Sequence, residues 1–269
     1  MLHVKIALMD SGIGLLAAAA AVRRARPDAD LVLSLDPDGM PWGPRDADGI
    51  TERALLCARA AAAYEPDALI VACNTASVHA LPTLRAELEP ALPVIGTVPA
   101  VKPAAAAAAG TGGRVAVWAT PATTGSPYQQ RLIEEYAAGT DVTGVPCHGL
   151  AEAIESGDEQ LITTAVHAAA ERTPDDVETV VLGCTHYELV GERIREALGA
   201  SGAVGPALQG SAVAVCAQAL RRAGSGPDAG AAPTGGLTVL HSGRPAALPE
   251  AALTYAEGRL LASAGAVRG

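Results

Sequence analysis

The chain has 269 residues, 49% of them hydrophobic, with no Phe and only 3% aromatic residues. That length fits one large α/β domain or two domains of about 100–150 residues, and the apolar content supports an aliphatic core and excludes disorder. The formal charge of −10, with no Lys/Arg cluster to offset it, argues against nucleic acid as a partner, because such binding needs cations to neutralise phosphates. No run approaches the roughly 18 apolar residues of a membrane span, and the start does not read as a signal peptide. Five cysteines without CxxC pairs point to reduced thiols and a cytoplasmic location.

Short aliphatic runs alternate with longer Ala/Leu/Arg/Glu stretches, the pattern of stacked βα units around mainly parallel sheets. In chain order, strands are expected at 4–9, 31–35, 68–72, 94–95, 115–119, 142–145, 180–182 and 237–240. Helices are expected at 15–24, 49–64, 77–88, 102–109, 126–137, 159–171, 188–198 and 212–222. The Gly/Pro/Ala-rich stretch 224–236 reads as a linker or mobile loop.

The chain also echoes itself. Ile6-Ala-Leu-Met-Asp10 resembles Val115-Ala-Val-Trp-Ala119, and Leu69-Ile-Val-Ala-Cys73-Asn-Thr resembles Val180-Val-Leu-Gly-Cys184-Thr-His. Two similar α/β halves, each placing a cysteine at the C-terminal end of a strand, account for both echoes. Ligands of open parallel sheets bind outside those strand ends.

Several chemistries compete for these residues. Gly12-Ile-Gly14-Leu-Leu-Ala17 after a strand, with Asp36 ending the next one, resembles a dinucleotide fingerprint. Asp10, two residues before the first glycine, would repel a pyrophosphate there. Pyridoxal phosphate needs a Schiff-base lysine, yet the only lysines are Lys5, inside a strand, and Lys102, opening an Ala-rich helix. Cys184 and His186 are spaced like metal ligands, but no second tight pair accompanies them, so no metal is expected. Cys57, Cys147 and Cys216 read as small buried hydrophobes.

Cys73 and Cys184 are different, because polar residues follow each at once. Two thiols facing one carbon from opposite sides suit stereoinversion: one thiolate removes a proton and the other thiol returns one. Each needs help to ionise. Asp10 could assist Cys73 and His186 could assist Cys184, while Ser11, Asn74, Thr75 and Thr185 could orient the polar groups of a small-molecule substrate.

Asp10-Ser-Gly-Ile-Gly14, Pro41-Trp42-Gly43, Ala72-Cys-Asn-Thr-Ala-Ser77, Ala119-Thr-Pro-Ala-Thr123 and Leu182-Gly-Cys-Thr-His-Tyr187 resemble the motifs of the glutamate racemase family, within the aspartate/glutamate racemase superfamily. The resemblance runs in order over residues 4–215. It implies two α/β domains, 1–97 plus 209–269 and 98–208, with mainly parallel sheets, a pseudo-twofold axis and an active site in the cleft between them. It further implies an enzyme without cofactor or metal that interconverts L- and D-glutamate, in most bacteria for cell-wall peptidoglycan. Cys73 and Cys184 would be the acid/base pair, supported by Asp10, His186 and Glu155. Ser11, Pro41, Trp42, Gly43, Asn74, Thr75, Thr123 and Thr185 would contact the amino-acid substrate. The assembly stays open, a homodimer being one option.

The chain departs from the family pattern in four places. Leu15 stands for the second Gly of a pair, Trp42 for Tyr, Glu188 for Pro, and Gln209-Gly210-Ser211 for an Asp-Ser-Gly. These alter the pocket wall rather than the acid/base groups. Three alternatives therefore remain: a racemase or epimerase of another acidic amino acid in specialised metabolism, a one-thiol decarboxylase or isomerase of the superfamily, and a non-catalytic binding protein.

Overall fold

In the computed structural model, which describes residues 4–199 and 205–265, the chain divides into two units, Met1–Thr97 with Ala212–Gly269, and Val98–Ser211. The first opens with β1 (Lys5–Asp10), α1 (Leu16–Ala25), β2 (Asp30–Leu35), α2 (Ala47–Ala62), β3 (Ala68–Val71), α3 (Asn74–His79), α4 (Leu81–Leu88) and β4 (Val94–Gly96). The second holds α5 (Val101–Ala109), β5 (Arg114–Ala119), α6 (Pro127–Tyr136), β6 (Val142–Pro146), α7 (Leu150–Ser156), α8 (Glu159–Ala170), β7 (Val177–Leu182), α9 (Gly191–Gly199) and β8 (Ala207–Gln209). The chain then returns to the first unit with α10 (Ala212–Arg222), β9 (Leu237–His241), β10 (Arg244–Ala246) and α11 (Ala256–Gly265).

The first sheet has the order β10-β9-β2-β1-β3-β4 and the second β6-β5-β7-β8. All pairings are parallel except β10 with β9. The orders β2-β1-β3-β4 and β6-β5-β7-β8 are the same topology, which is the structural content of the internal echo. β3 is apolar throughout, and β1 and β7 are apolar over Ile6–Met9 and Val180–Leu182, because both faces of a parallel sheet are covered there.

Differences from the expected elements have local causes. The helix expected at 77–88 starts at Asn74 and breaks into α3 and α4, where Pro82, lacking an N–H, opens the second piece. The helix expected from 188 begins as a 3-10 turn over Thr185–Val190 before α9. Three short elements, α7, β8 and β10, carry too little periodic signal to be read from sequence, and the ten-residue α11 is not among the expected elements either. Gln209, Gly210 and Ser211 belong to the second unit rather than the first, because Gln209 pairs with Val181 in β8.

The stretch 224–236 has no regular element. Its last residue is tied to the α1–β2 connection by buried Arg23, which donates to the Gly236 carbonyl at 2.8 Å and to those of Ala29 (2.7 Å) and Pro27 (3.1 Å). Among the described residues no helix is long and apolar enough to cross a membrane.

Sheet packing carries the stability of each unit. Leu8, fully buried in the central β1, should cost about 3 kcal/mol when cut to Ala, through lost transfer energy and the cavity left behind. Leu253→Ala, at a side chain 43% exposed, should change urea-unfolding stability by less than about 0.5 kcal/mol.

Candidate active site

In the first unit the register Met9↔Val71 sets Asp10 level with Ala72, and the Ala72 N–H donates to the Met9 carbonyl at 2.8 Å. Cys73 comes next, in extended backbone (φ −142°, ψ 120°), and α3 starts directly after it. Asp10 and Cys73 therefore end neighbouring strands at the point where strand order reverses, the usual ligand position in such sheets. Asp10 is fully buried and accepts from the Ser11 N–H at 2.7 Å and the Ser11 hydroxyl at 3.4 Å. Asn74 is buried and Thr75 half-buried on the first turn of α3.

The second unit repeats this construction. The Gly183 N–H donates to the Trp118 carbonyl at 2.7 Å, Cys184 follows in extended backbone (φ −132°, ψ 136°), and a 3-10 turn begins at Thr185. Gly183 is required by the close approach: a Cβ there would lie 2.7 Å from the Trp118 carbonyl oxygen. The helper groups differ, however. Cys184 Sγ lies 3.8 Å from His186 Nδ1, and His186 Nε2 lies 2.8 Å from Glu155 Oε2 on α7. Thr185 and His186 are buried. Thr123 is half-buried, its hydroxyl 3.1 Å from that of Thr120.

That geometry assigns roles to the imidazole nitrogens. A carboxylate can only accept, so Nε2 carries the proton toward Glu155 and Nδ1 presents its lone pair to the Cys184 thiol. Transfer of the thiol proton to Nδ1 would leave a thiolate beside an imidazolium held by Glu155. Cys57, Cys147 and Cys216 are buried, and burial pushes their thiols up to about 12, about 12 and about 11 respectively. Cys184 is the only thiol of the five that is not buried.

Trp42 sits differently from its neighbours. Pro41 and Gly43 are exposed, but Trp42 is only 1% exposed within the first unit's core, so the segment offers solvent its backbone and not the indole ring. The indole N–H donates to Asp36 Oδ2 at 2.8 Å. Asp36, fully buried, also accepts from Arg53 Nε at 2.8 Å and from Arg53 Nη2, and from the Ser242 hydroxyl at 2.8 Å. Its carboxylate is thus committed and unavailable to a ribose. Burial alone would raise the Asp36 carboxyl, but the hydrogen bonds from Arg53, Trp42 and Ser242 and the guanidinium charge outweigh it and hold it below its ordinary value. The ionised carboxylate stabilises the fold at neutral pH, and that contribution fades below about pH 4 as pH falls through the lowered value.

Two departures from the family pattern meet in space. Glu188 Oε1 accepts from the Ser211 N–H at 2.8 Å and from its hydroxyl at 2.9 Å. Gly210 leaves room for this, since a Cβ there would lie 2.3 Å from Glu188 Oε2. Sequence reasoning missed this pair and the partners of Asp36, because the residues involved are far apart in the chain. Among the described residues no group of three or more His, Cys, Asp or Glu side chains could hold a metal. Lys5 Nζ is engaged with the Tyr64 carbonyl at 2.7 Å, and Lys102 stands over the Tyr136 ring.

Residues 14–219 match the Asp/Glu/Hydantoin racemase family. The glutamate racemase of Roseiflexus sp. (strain RS-1) is 39% identical over 197 residues, 72% of this chain and 71% of that protein. The glutamate racemase of Pseudomonas putida (KT2440) is 39% identical over 190 residues, 68% of this chain and 69% of that protein. Among solved structures, Escherichia coli glutamate racemase in complex with L-glutamate and the activator UDP-MurNAc-ala is similar with a TM-score of 0.79 at 27% identity. That alignment covers 98% of this chain and 96% of the other. Thermus thermophilus glutamate racemase in complex with β-chloro-D-alanine is similar at 28% identity and a TM-score of 0.67, covering 97% and 94%.

The thiol environments predict selective alkylation. Brief iodoacetamide treatment of the native protein at about pH 8, followed by peptide mass spectrometry, should label Cys184 while leaving Cys57, Cys147 and Cys216 unlabelled, because alkylation needs an accessible thiolate.

Proposed function

The chain belongs to the Asp/Glu/Hydantoin racemase family, and from that premise we propose that it is a glutamate racemase in which Cys73 and Cys184 act as a paired acid and base on the substrate's α-carbon. The observation that carries this reading is the chain Glu155–His186–Cys184 at the end of β7, repeated in topology by Cys73 at the end of β3 beside Asp10.

In this reading one thiolate removes the α-proton and the carbanion's charge spreads into the carboxylate. The other thiol then delivers a proton to the opposite face. No proton is gained or lost, and the two sulfurs exchange protonation states, so the reverse reaction starts from the state the forward one leaves. His186 and Glu155 support ionisation of Cys184, and Asp10 supports Cys73. Ser11, Asn74, Thr75, Thr123, Thr185 and the backbone around Trp42 and Gly43 bind the amino acid's charged groups. The chemistry runs on protein groups alone, in keeping with two lysines that are otherwise engaged.

The unusual residues of the pocket wall fit glutamate as substrate. Glu188 accepts both hydrogen bonds of Ser211, so its carboxylate is engaged within the protein. D-glutamate for cell-wall synthesis is the role this activity would serve.

Incubation with either enantiomer should end at equal amounts of L- and D-glutamate, since mirror images have equal free energies. Cys73→Ser and Cys184→Ser should each lower racemisation at least about 10²-fold, the scale of a lost acid or base, as measured by polarimetry. His186→Asn should lower kcat with a smaller effect on KM. Retention of more than about a tenth of the parent's racemisation in either cysteine variant would count against a two-thiol mechanism.

A further inference from the structure

We propose that the C-terminal hairpin formed by β9 and β10 is a positioning device for the substrate-binding segment Pro41-Trp42-Gly43, acting through Ser242 and Asp36. The hairpin lies beyond residues 14–219, the part of the chain that matches the family. The inference rests on the reading that the 41–43 backbone contacts substrate.

The segment between β2 and α2 has no regular structure and owes its shape to Asp36. The Asp36 N–H donates to the Ser11 carbonyl at 3.2 Å, which ties the loop's start to the Asp10–Ser11 turn. The Asp36 carbonyl accepts from Gly39 and Met40 N–H at 3.1 and 3.0 Å. Its carboxylate holds the Trp42 indole from below. Gly39 permits this packing, since a Cβ there would lie 2.0 Å from Asp36 Oδ2 and 2.3 Å from Arg53 Nε. With the indole pinned inward, the peptides on either side of Trp42 have one orientation, and Pro41 and Gly43 face outward.

The hairpin closes the clamp from the other side. Ser242 and Gly243 form the two-residue turn between His241 and Arg244, both with positive φ, +46° and +81°. Such a turn favours Asn or Gly, so a serine there is a backbone cost that calls for a reason. The reason is its hydroxyl, which is 8% exposed as a residue, donates to Asp36 Oδ1 at 2.8 Å and accepts from the Asp38 N–H at 3.2 Å. Arg244 adds a pair to Asp38 at 2.7 Å. Two residues of the loop, Asp36 and Asp38, are thereby held by two residues of the hairpin, Ser242 and Arg244.

The test is steady-state kinetics with glutamate on the full chain, with folding checked by circular dichroism. Ser242→Ala should raise KM about tenfold, the scale of one lost hydrogen bond to a charged group, with kcat within about twofold. Trp42→Phe keeps a buried aromatic ring, though a smaller one, and removes the indole donor; it should shift KM in the same direction. The double variant should fall short of the product of the two effects, because both act through Asp36. A KM within about twofold of the parent's in both single variants overturns the proposal, whatever happens to thermal stability. So does a fall in kcat with KM unchanged. Absence of racemisation in the parent protein would overturn the proposed function instead, which keeps the two failures apart. Should Ser242→Ala not fold, Trp42→Phe alone decides by the same criterion.

Discussion

Parallel pairing at the centre of each sheet is the constraint on which the rest depends. The β1–β3 and β5–β7 ladders each extend by one further hydrogen bond, Ala72 N–H to Met9 and Gly183 N–H to Trp118, and each cysteine follows directly. Because side chains alternate along a strand, a one-residue slip in either ladder would turn the reactive sulfur toward the other face. The apolar runs 6–9, 68–71 and 180–182 prevent that slip, since it would move a buried set of side chains. Placing a thiol is therefore a by-product of packing the core.

The two halves share a topology but surround their strand-end cysteines differently. In the second unit an imidazole stands between Cys184 and a carboxylate, so proton transfer separates charge over a pre-arranged pair. In the first unit, Asp10 is a buried carboxylate at a neighbouring strand end, fixed by Ser11. Under the proposed two-thiol mechanism this asymmetry suits a reaction whose two directions start from different protonation states, because each sulfur would serve as base in one direction and acid in the other.

Much of this was legible in the sequence where the physics is local. Buried parallel strands are unbroken aliphatic runs, so β1, β2, β3, β5 and β7 were read within a few residues. The cysteines announced themselves by the polar residues that follow those runs. Glu155 was reachable only through family resemblance, since it sits on the seven-residue α7, bounded by glycines in left-handed conformation. Arg53 and Ser242, two of the partners of Asp36, lie 17 and 206 residues away, and β10 is fully exposed with no apolar alternation. Glu188 and Ser211 each looked like an isolated departure until the fold brought them within 2.9 Å. Long-range polar pairing leaves no periodic trace, and that is where the reading stopped.

The central claim, a separate sulfur for each face of the α-carbon, is tested most directly by the position of solvent hydrogen in early turnover. L-glutamate would be incubated with the protein in deuterium oxide, and both enantiomers recovered at low conversion for mass analysis. The account predicts deuterium at Cα of the D-glutamate formed and protium retained in the remaining L-glutamate. Deuterium entering the unreacted L-glutamate as fast as racemisation proceeds would mean that one group serves both faces, and would contradict it.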